Sequence, residues 1–158
     1  MRKTVFPVAG FGSRLLPATK AIPKELLPII DKPLLQYAIE EAINTLIFVT
    51  GKNKRAVEDH FDSNTELDLT LRAQGKDKQA DMVCNIIPEH VKYIFLRQPE
   101  RHGLGHVILC AERAVNNKPF TILLADDFII SSHLGDTDKL ICEFNNSGKA
   151  QLSVMEIN

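Results

Sequence analysis

Short apolar segments that alternate with amphipathic ones are the feature that most restricts how this chain can fold. Five segments read as strands, at residues 4–9, 46–50, 93–96, 120–125 and 151–157. Strands that alternate with helical stretches are typical of an α/β domain. We therefore predict helices layered on a mainly parallel central sheet, and ligands of such sheets bind beyond the carboxyl ends of the strands.

The helices are predicted from apolar spacing and from the residues that begin or end helices. They span residues 34–43, 54–61, 105–114 and 136–145. Pro33 suits the start of the first helix, and Asn53 is expected to cap the second. The inward face of the third is expected to carry Val107, Leu109, Cys110 and Ala114. Residues 64–83 are polar with scattered leucines and predict an exposed helix or excursion.

Composition limits the class of partner but does not identify the chemistry. The 158 residues carry 19 basic and 20 acidic side chains, a net charge of −1. This length suits one domain with its own core, and the balanced charge argues against nucleic acid or an anionic membrane as the main partner. No apolar run approaches the roughly 18 residues that span a bilayer. Cys84, Cys110 and Cys142 predict reduced core residues of a cytoplasmic protein.

A glycine-containing loop follows the first predicted strand directly. Gly10 and Gly12 allow the backbone to turn with positive φ and to bring N–H groups close to an anion. Leu15 stands where a dinucleotide-binding fingerprint needs a third glycine or alanine, and the Gly-Lys-Ser/Thr ending of a phosphate-binding NTPase loop is missing. By spacing alone, the loop fits a plain β-turn as well as a phosphate site.

Cations and prolines near this loop favour the phosphate site. Arg14, Lys20 and Lys24 lie within eleven residues of one another. Pro17, Pro23 and Pro28 stiffen the same stretch, which lowers the entropy lost when the loop is held in one shape. A preorganised loop that carries Arg and Lys can stabilise the charge of a polyphosphate.

One long segment resembles a known family. PVAGFGSRLLPATKAIPKELLPIIDKPLLQYAIEEA (residues 7–42) is similar to the signature of bacterial UTP–glucose-1-phosphate uridylyltransferases, a branch of the sugar nucleotidylyltransferases. Further matches are FVTGKNKRAVEDHFD at residues 48–62, Arg97-Gln98, the segment 103–106 and LLADD at residues 123–127. Three departures are Ser13 where the family usually has Thr, a connection of only residues 44–45 before the second strand, and a family length that exceeds 158 residues.

The resemblance implies a three-layer, Rossmann-like nucleotidyltransferase domain with a mainly parallel, mixed central sheet. Residues 1–158 would form its N-terminal, nucleotide-binding part, and the C-terminal, sugar-phosphate-binding part would lie outside them. The resemblance also implies a homo-oligomer, either a dimer or a tetramer. It implies Mg²⁺ as cofactor, and UTP and glucose 1-phosphate as substrates.

Residue roles follow from the same resemblance, position by position. Backbone at Ala9 and Gly10, with Glu25 and Gln98, would hold the uracil end of the nucleotide. The residues expected around the phosphates are Gly12, Ser13, Arg14 and Lys24, of which Arg14 and Lys24 would be catalytic. Gly103 would contact the nucleoside or sugar, and Asp126 would hold Mg²⁺, which accepts carboxylate oxygen readily.

The implied activity is transfer of a uridylyl group from UTP to glucose 1-phosphate, giving UDP-glucose and pyrophosphate. Two alternatives stay open at this point. One is a relative that uses dTTP or another sugar phosphate, and the other is a truncated homologue that binds UTP without turnover. The five histidines show no metal-ligand spacing, so none is assigned to a metal. His106 flanks the glycine pair, where contact with substrate is one interpretation and a role at the start of a helix is the favoured one. The basic run Lys52, Lys54 and Arg55 is expected to be a solvated helix face.

Overall fold

The computed structural model describes residues 3–40, 44–127 and 135–154. Its strands are β1 (Lys3–Val8), β2 (Pro28–Ile29), β3 (Lys32–Pro33), β4 (Thr45–Thr50), β5 (Lys92–Arg97) and β6 (Thr121–Ile122). Its α-helices are α1 (Leu34–Glu40), α2 (Arg55–Phe61), α3 (Thr65–Ala73), α4 (Asp77–Cys84), α5 (Gly103–Cys110), α6 (Glu112–Val115) and α7 (Asp136–Ser147). Strands and helices therefore alternate along the described chain, as predicted.

Four strands form the central sheet, in the order β5-β4-β1-β6, and each pair of neighbours is parallel. β1 pairs with β4 over its whole length, from Lys3 opposite Thr45 to Val8 opposite Thr50. The chain moves outward from β1 to β4 and β5, then returns past β1 to β6. The direction of winding therefore reverses between β1 and β6. The crevice at the carboxyl ends of these two strands is where open α/β sheets bind ligands.

Helices pack on both faces of this sheet and give three layers. β1 and β4 alternate their side chains between two buried clusters, because successive residues of a strand point to opposite faces. The first cluster includes Phe6, Leu35, Phe48, Val57 and Phe61, so α1 and α2 cover that face. The second includes Val5, Ile47, Val49, Val107 and Val115, so α5 and α6 cover the other. The core fixes both strands, and it thereby fixes the loops at their carboxyl ends.

Aromatic stacking joins neighbouring strands within the first cluster. The ring of Phe48 lies 5.2 Å from that of Phe6 and 4.9 Å from that of Phe95, measured between centroids. Phe61 stacks on Phe48 at 5.4 Å from the α2 side. The rings connect β1, β4, β5 and α2 and hold the three strands in register.

Two predictions about the helices are wrong in detail. Asn53 does not cap α2, because its φ of 71° is left-handed and Lys54 is the residue that precedes the helix. A capping residue takes extended backbone angles instead. Leu109 is 60% exposed and does not face the core, whereas Val107 on the same helix is buried. The polar stretch from residue 64 to residue 83 is α3 and α4, two exposed helices packed on each other.

The fourth predicted strand is shorter than expected, because β6 covers only Thr121 and Ile122. The fifth prediction is wrong for Gln151–Val154, which are exposed and lack strand structure, and its remaining residues lie outside the described part. An alternating pattern forms a strand only where a neighbour pairs with it, and no strand in the described residues pairs with this segment.

Two further predictions concern the cysteines and membrane-spanning segments. Cys84, Cys110 and Cys142 are free thiols, as predicted, but Cys84 and Cys142 are exposed and Cys110 is half-buried, so the prediction of core positions is wrong. Within the described ranges, no helix combines the length and the apolar character needed to cross a membrane.

Candidate active site

The loop after β1 begins the candidate site at the crevice between β1 and β6. Gly12 has a φ of 71° and precedes a 3₁₀ helix at Ser13–Leu15. A Cβ at Gly12 would lie 3.1 Å from the Cβ of Lys24 and 3.1 Å from Cγ2 of Thr19. The Thr19 hydroxyl donates to the Gly12 carbonyl at 2.7 Å. Both the left-handed turn and the close approach require glycine at position 12.

Two further 3₁₀ helices, Ala18–Lys20 and Lys24–Leu26, bring the loop back to its own glycine turn. This return places Lys24 beside Gly10, where a Cβ would lie 3.9 Å from the Lys24 Cε. Ser13 and Arg14 are exposed on the first 3₁₀ helix. The glycine turn and the Lys24 side chain therefore belong to one compact loop.

Lys24 reaches across the crevice to the loop after β6. Its Nζ lies 2.7 Å from Oδ2 of Asp126, and the two side chains are 17% and 40% exposed. Partial burial alone would raise the pKa of the Asp126 carboxyl. The hydrogen bond and charge of Lys24, with a smaller contribution from the Arg14 guanidinium, outweigh burial and hold that pKa below its ordinary value. Lys24 and Asp126 are thus in direct contact, Arg14 lies close enough to act on the same carboxyl group, and the carboxylate stays ionised.

The next residue in the chain, Glu25, makes a second ion pair in a different environment. Its side chain is fully buried, and its Oε2 accepts from Nζ of Lys54 at 2.6 Å, where Lys54 is only 5% exposed. The other carboxylate oxygen of Glu25, Oε1, is buried without a hydrogen-bond partner. An ionised carboxylate is tolerated in the interior only when it is paired with a cation. The ammonium of Lys54 is therefore what allows Glu25 to be buried.

Gln98 follows β5 at the same edge of the sheet and is 3% exposed. Its backbone N–H donates to the Thr50 carbonyl at 2.8 Å, which extends the β4–β5 ladder by one bond. Its side-chain nitrogen Nε2 lies 2.9 Å from Nδ1 of His106, on the first turn of α5. The amide of Gln98 is therefore held from one side by an imidazole.

Contacts also join the separate loops around the crevice. The guanidinium of Arg101 lies over the ring of Phe11, 3.2 Å from its centroid, and so connects the loop after β5 with the loop after β1. Gly103 begins α5 with a φ of 81° and has open space where a Cβ would lie. Ala9 is buried at the end of β1, and its carbonyl oxygen lies 3.0 Å from where a Cβ on Gly51 would be.

The structure brings together most of the residues singled out in the sequence. Lys24 contacts Asp126 at the crevice, with Arg14 near enough to act on that carboxyl group. Gln98 and Glu25 are both buried beside strands of the same sheet. Sequence reasoning missed Lys54 and the partner role of His106. Lys54 lies in a basic run that reads as a solvated helix face, and its one available signal is its place just beyond the carboxyl end of β4. Its partner Glu25 is 29 residues away.

The polar residues of this crevice are the part suited to a polyphosphate. A wide groove of about 1050 Å³ lies beside β6 and adjoins this crevice at Ala125 and Asp127, and its lining is largely apolar, with Leu104, Ile108, Leu140 and Phe144. Triphosphate charge needs several cations and N–H donors, and Lys118 is the one Lys or Arg among the described residues that line this groove. In the described residues, no group of three or more His, Cys, Asp or Glu side chains forms a metal cluster. Asp126 is a carboxylate beyond the end of a strand, and such an oxygen donor is of the kind that Mg²⁺ accepts together with phosphates and water.

Comparison with known proteins gives a consistent result. The family described as nucleotidyl transferase matches residues 3–157. The UTP–glucose-1-phosphate uridylyltransferase of Staphylococcus haemolyticus is 43% identical over 161 residues, which cover 99% of this chain and 55% of the relative. The uridylyltransferase YngB of Bacillus subtilis is 47% identical over 138 residues, which cover 83% of this chain and 45% of that protein. The chain spans about half the length of the curated relatives it matches.

Solved structures give the same architecture. UDP-glucose pyrophosphorylase from Acinetobacter baumannii superposes with a TM-score of 0.89 at 39% identity, covering 94% of this chain and 54% of that one. The UTP-bound form of that enzyme gives a TM-score of 0.89 at 38% identity, with the same coverage. The Rossmann-like nucleotidyltransferase fold is therefore confirmed.

Proposed function

The chain belongs to the nucleotidyl transferase family, and from that premise we propose that the protein transfers a uridylyl group from UTP to glucose 1-phosphate. The products are UDP-glucose and pyrophosphate. The observation that carries the proposal is the contact of Lys24 with Asp126 at the crevice, beside Arg14 and the glycine turn. The names of the curated relatives and the UTP-bound neighbour support uridine as the nucleoside.

The proposed reaction is a direct displacement at phosphorus. An oxygen of the sugar phosphate attacks the α-phosphorus of UTP, and the bond from that phosphorus to the oxygen bridging to the β-phosphate breaks. Pyrophosphate leaves with that oxygen. The protein forms no covalent bond in this scheme, so its contribution is to position the reactants and neutralise their charge.

In this proposal, Arg14 and Lys24 bind the phosphates of UTP. Lys24 is free to do so because its partner Asp126 is partly exposed, so the ammonium can exchange the carboxylate for phosphate oxygens. Backbone N–H groups of the turn at Gly10, Gly12 and Ser13 would point toward the same phosphates, as loops of this kind do around anions. Preorganised cations and N–H donors of this sort stabilise the charge that develops on the leaving pyrophosphate.

Asp126 would hold the Mg²⁺ ion that we propose as cofactor. Its carboxylate is held ionised by Lys24, and a hard cation would replace that ammonium as the neutralising charge when Lys24 binds the phosphates. When bound, the ion supplies neutralisation and alignment of phosphate oxygens.

Glu25 and Gln98 are the residues that we propose at the uracil, with backbone at Ala9 and Gly10, and Gly103 at the nucleoside or sugar. Both side chains are buried and polar, and Glu25 has a carboxylate oxygen without a partner. Residues 1–158 would thus be the nucleotide-binding part of the domain. Contacts to the sugar phosphate, and assembly as a dimer or tetramer, stay predictions.

The test is product formation by the intact protein with UTP, glucose 1-phosphate and Mg²⁺, with Lys24→Met as the matched variant. We expect equal amounts of UDP-glucose and pyrophosphate, resolved by ion-exchange chromatography, and a loss of about 100- to 1,000-fold in the variant. The absence of both products, or equal rates in the two proteins, would overturn the proposal. A competition between UTP and dTTP, with a preference for dTTP, would instead assign the site to a thymidylyl transfer.

A further inference from the structure

The contact between Gln98 and His106 has a consequence for which base the site accepts. A primary amide carries a donor and an acceptor at one end, and rotation by 180° exchanges them. In one orientation the amide matches the N3–H and O4 of uracil. In the other it matches the N3 and amino group of cytosine. Gln98 alone therefore cannot discriminate between the two pyrimidines, and a second group must fix its orientation.

His106 is the group in position to do so. Its Nδ1 lies 2.9 Å from Nε2 of Gln98, and Gln98 is 3% exposed, so water has little access to replace this contact. A neutral imidazole with its proton on Nε2 presents a lone pair at Nδ1, which accepts an N–H of the amide. The orientation in the structure, with Nε2 of Gln98 toward Nδ1, corresponds to the tautomer with the proton on Nε2. In that tautomer the rotated amide would place its oxygen against the Nδ1 lone pair, and a buried acceptor that faces another acceptor is unfavourable.

Surrounding residues hold the imidazole itself. His106 is followed by the buried Val107 on α5, which anchors the helix against the sheet. The ring of His102 packs edge-on against the His106 ring, with centroids 5.0 Å apart and planes at 85°. The Nδ1 atom is therefore presented to Gln98 from a fixed helix and beside a second ring.

The amide uses only part of its capacity on His106. A primary amide nitrogen has two N–H groups. The N–H on the side away from the carbonyl can donate to Nδ1, while the other N–H and the oxygen remain for a base edge. Held in this way, Gln98 offers an acceptor to N3–H and a donor to a carbonyl oxygen. That pattern fits uracil and opposes cytosine.

From this geometry we infer that His106 is a positioning residue that fixes the amide of Gln98 with its oxygen toward the base, and thereby selects UTP over CTP. The inference rests on the proposed function, because it takes Gln98 as a contact of the base. It assigns to His106 a role in specificity that acts through Gln98 and involves no contact with the reacting phosphates.

The test is a series of substitutions that changes only what position 106 offers to Gln98. His106→Asp offers an acceptor, His106→Phe offers neither group, and His106→Lys offers a donor. We expect the ratio of kcat/KM for UTP to that for CTP to stay near the parent value in the His106→Asp variant. This ratio should fall about 10-fold in the His106→Phe variant, as expected for the loss of one buried hydrogen bond. It should fall further in the His106→Lys variant, where the donor opposes the N–H of Gln98. The change for UTP should appear in KM more than in kcat, because the base is remote from the reacting phosphorus.

His90→Phe is the matched control, since it makes the same exchange at an exposed histidine that precedes β5, at the end of the strand opposite Gln98. Its UTP/CTP ratio should equal that of the parent. Dissociation constants of UTP and CTP, measured by calorimetry, give the same ratio for any variant with weak turnover. A UTP/CTP ratio that is unchanged in the Phe and Lys variants of position 106 would overturn the inference. So would a ratio that falls as far in the Asp variant as in the other two. A parent that makes no UDP-glucose from UTP would instead overturn the proposed function.

Discussion

Two ion pairs formed by adjacent residues differ sharply in their surroundings. Lys24 pairs with Asp126 at the open crevice, where the carboxylate is 40% exposed, whereas Glu25 pairs with Lys54 in the interior, where both side chains are 5% exposed or less. The 3₁₀ helix Lys24–Leu26 turns these neighbours in opposite directions. One short segment of chain therefore contributes to the open cleft and to the buried layer beneath it.

The difference in burial indicates a difference in use. A partly exposed pair contributes little to stability, because solvent screens the charges and replaces either partner at small cost. Such a pair can exchange partners when a phosphate or a cation arrives. A buried pair cannot, since removal of one partner leaves an uncompensated charge in the interior. We therefore expect Lys24 to matter for activity and Lys54 for the folded state.

The largest expected effect is on stability, at Lys54. Lys54→Met keeps most of the side-chain volume but leaves the Glu25 carboxylate buried without its partner. The free energy of unfolding, measured with urea, should fall by about 3–5 kcal/mol. Lys52→Met is the control, because Lys52 is exposed two residues earlier, and it should change little. The double variant Lys54→Met with Glu25→Gln should recover a large part of the loss. If it is no more stable than Lys54→Met, the buried charge is not the cause.

The next effect is on activity, at Lys24. Lys24→Met should lower kcat by about 100- to 1,000-fold, because it removes a preorganised cation from the phosphates. Its free energy of unfolding should change by no more than about 1 kcal/mol, since the pair with Asp126 is partly exposed. Lys78→Met on α4, an exposed position far from the crevice, controls for loss of charge alone. If Lys24→Met lowers the free energy of unfolding as much as Lys54→Met does, the two ion pairs do not differ in their contribution to stability.

A smaller effect is expected at Gly12, whose turn supports the exposed pair. Gly12→Ala adds a methyl group 3.1 Å from the Cβ of Lys24 at a φ of 71°. Gly75→Ala is a matched control, because Gly75 has a φ of 70° but nothing within 4 Å of its added Cβ. Both should lose about 1 kcal/mol from the left-handed backbone. Only Gly12→Ala should lose a further increment from crowding, together with kcat. Equal losses in the two variants would show that crowding against Lys24 has no consequence.

The sequence was informative where local pattern alone decides the structure. β1 and β4 could be predicted because strands buried on both faces read as continuous apolar runs. The glycine turn and Asp126 could be placed at strand ends for the same reason, and parallel strands bring such ends to one edge. That Lys24 contacts Asp126 needed the return of the loop through three 3₁₀ helices, which proline spacing suggests but does not specify.

The remaining features depend on contacts between distant segments. Lys54 lies among charged neighbours, and only the fold shows that Glu25 approaches it. Asn53 has the right composition for a helix cap, but the tight connection after Gly51 puts it at a φ of 71°. The segment at residues 151–154 alternates like a strand, yet pairing requires a partner strand, and none lies beside it in the described residues.

The smallest effect concerns the pH dependence of stability and His60 on α2, the helix that follows Lys54. The Nε2 of His60 is buried without a partner, and burial lowers the pKa of its imidazole from the usual 6.5. Between the lowered pKa and about 6.5 the unfolded chain binds more protons than the folded one. This contribution to stability is therefore complete above that range and is lost as the pH falls through it.

His60→Gln removes that titration and should flatten the pH dependence of unfolding between pH 7 and pH 5. The expected change in slope corresponds to at most about 1 kcal/mol over this range, because the imidazole is only half-buried. Urea unfolding at several pH values, with His90→Gln at an exposed position as the control, measures it. An unchanged pH dependence would mean that the folded and unfolded chains protonate His60 alike. In that case packing in the folded chain does not exclude water from the imidazole of His60.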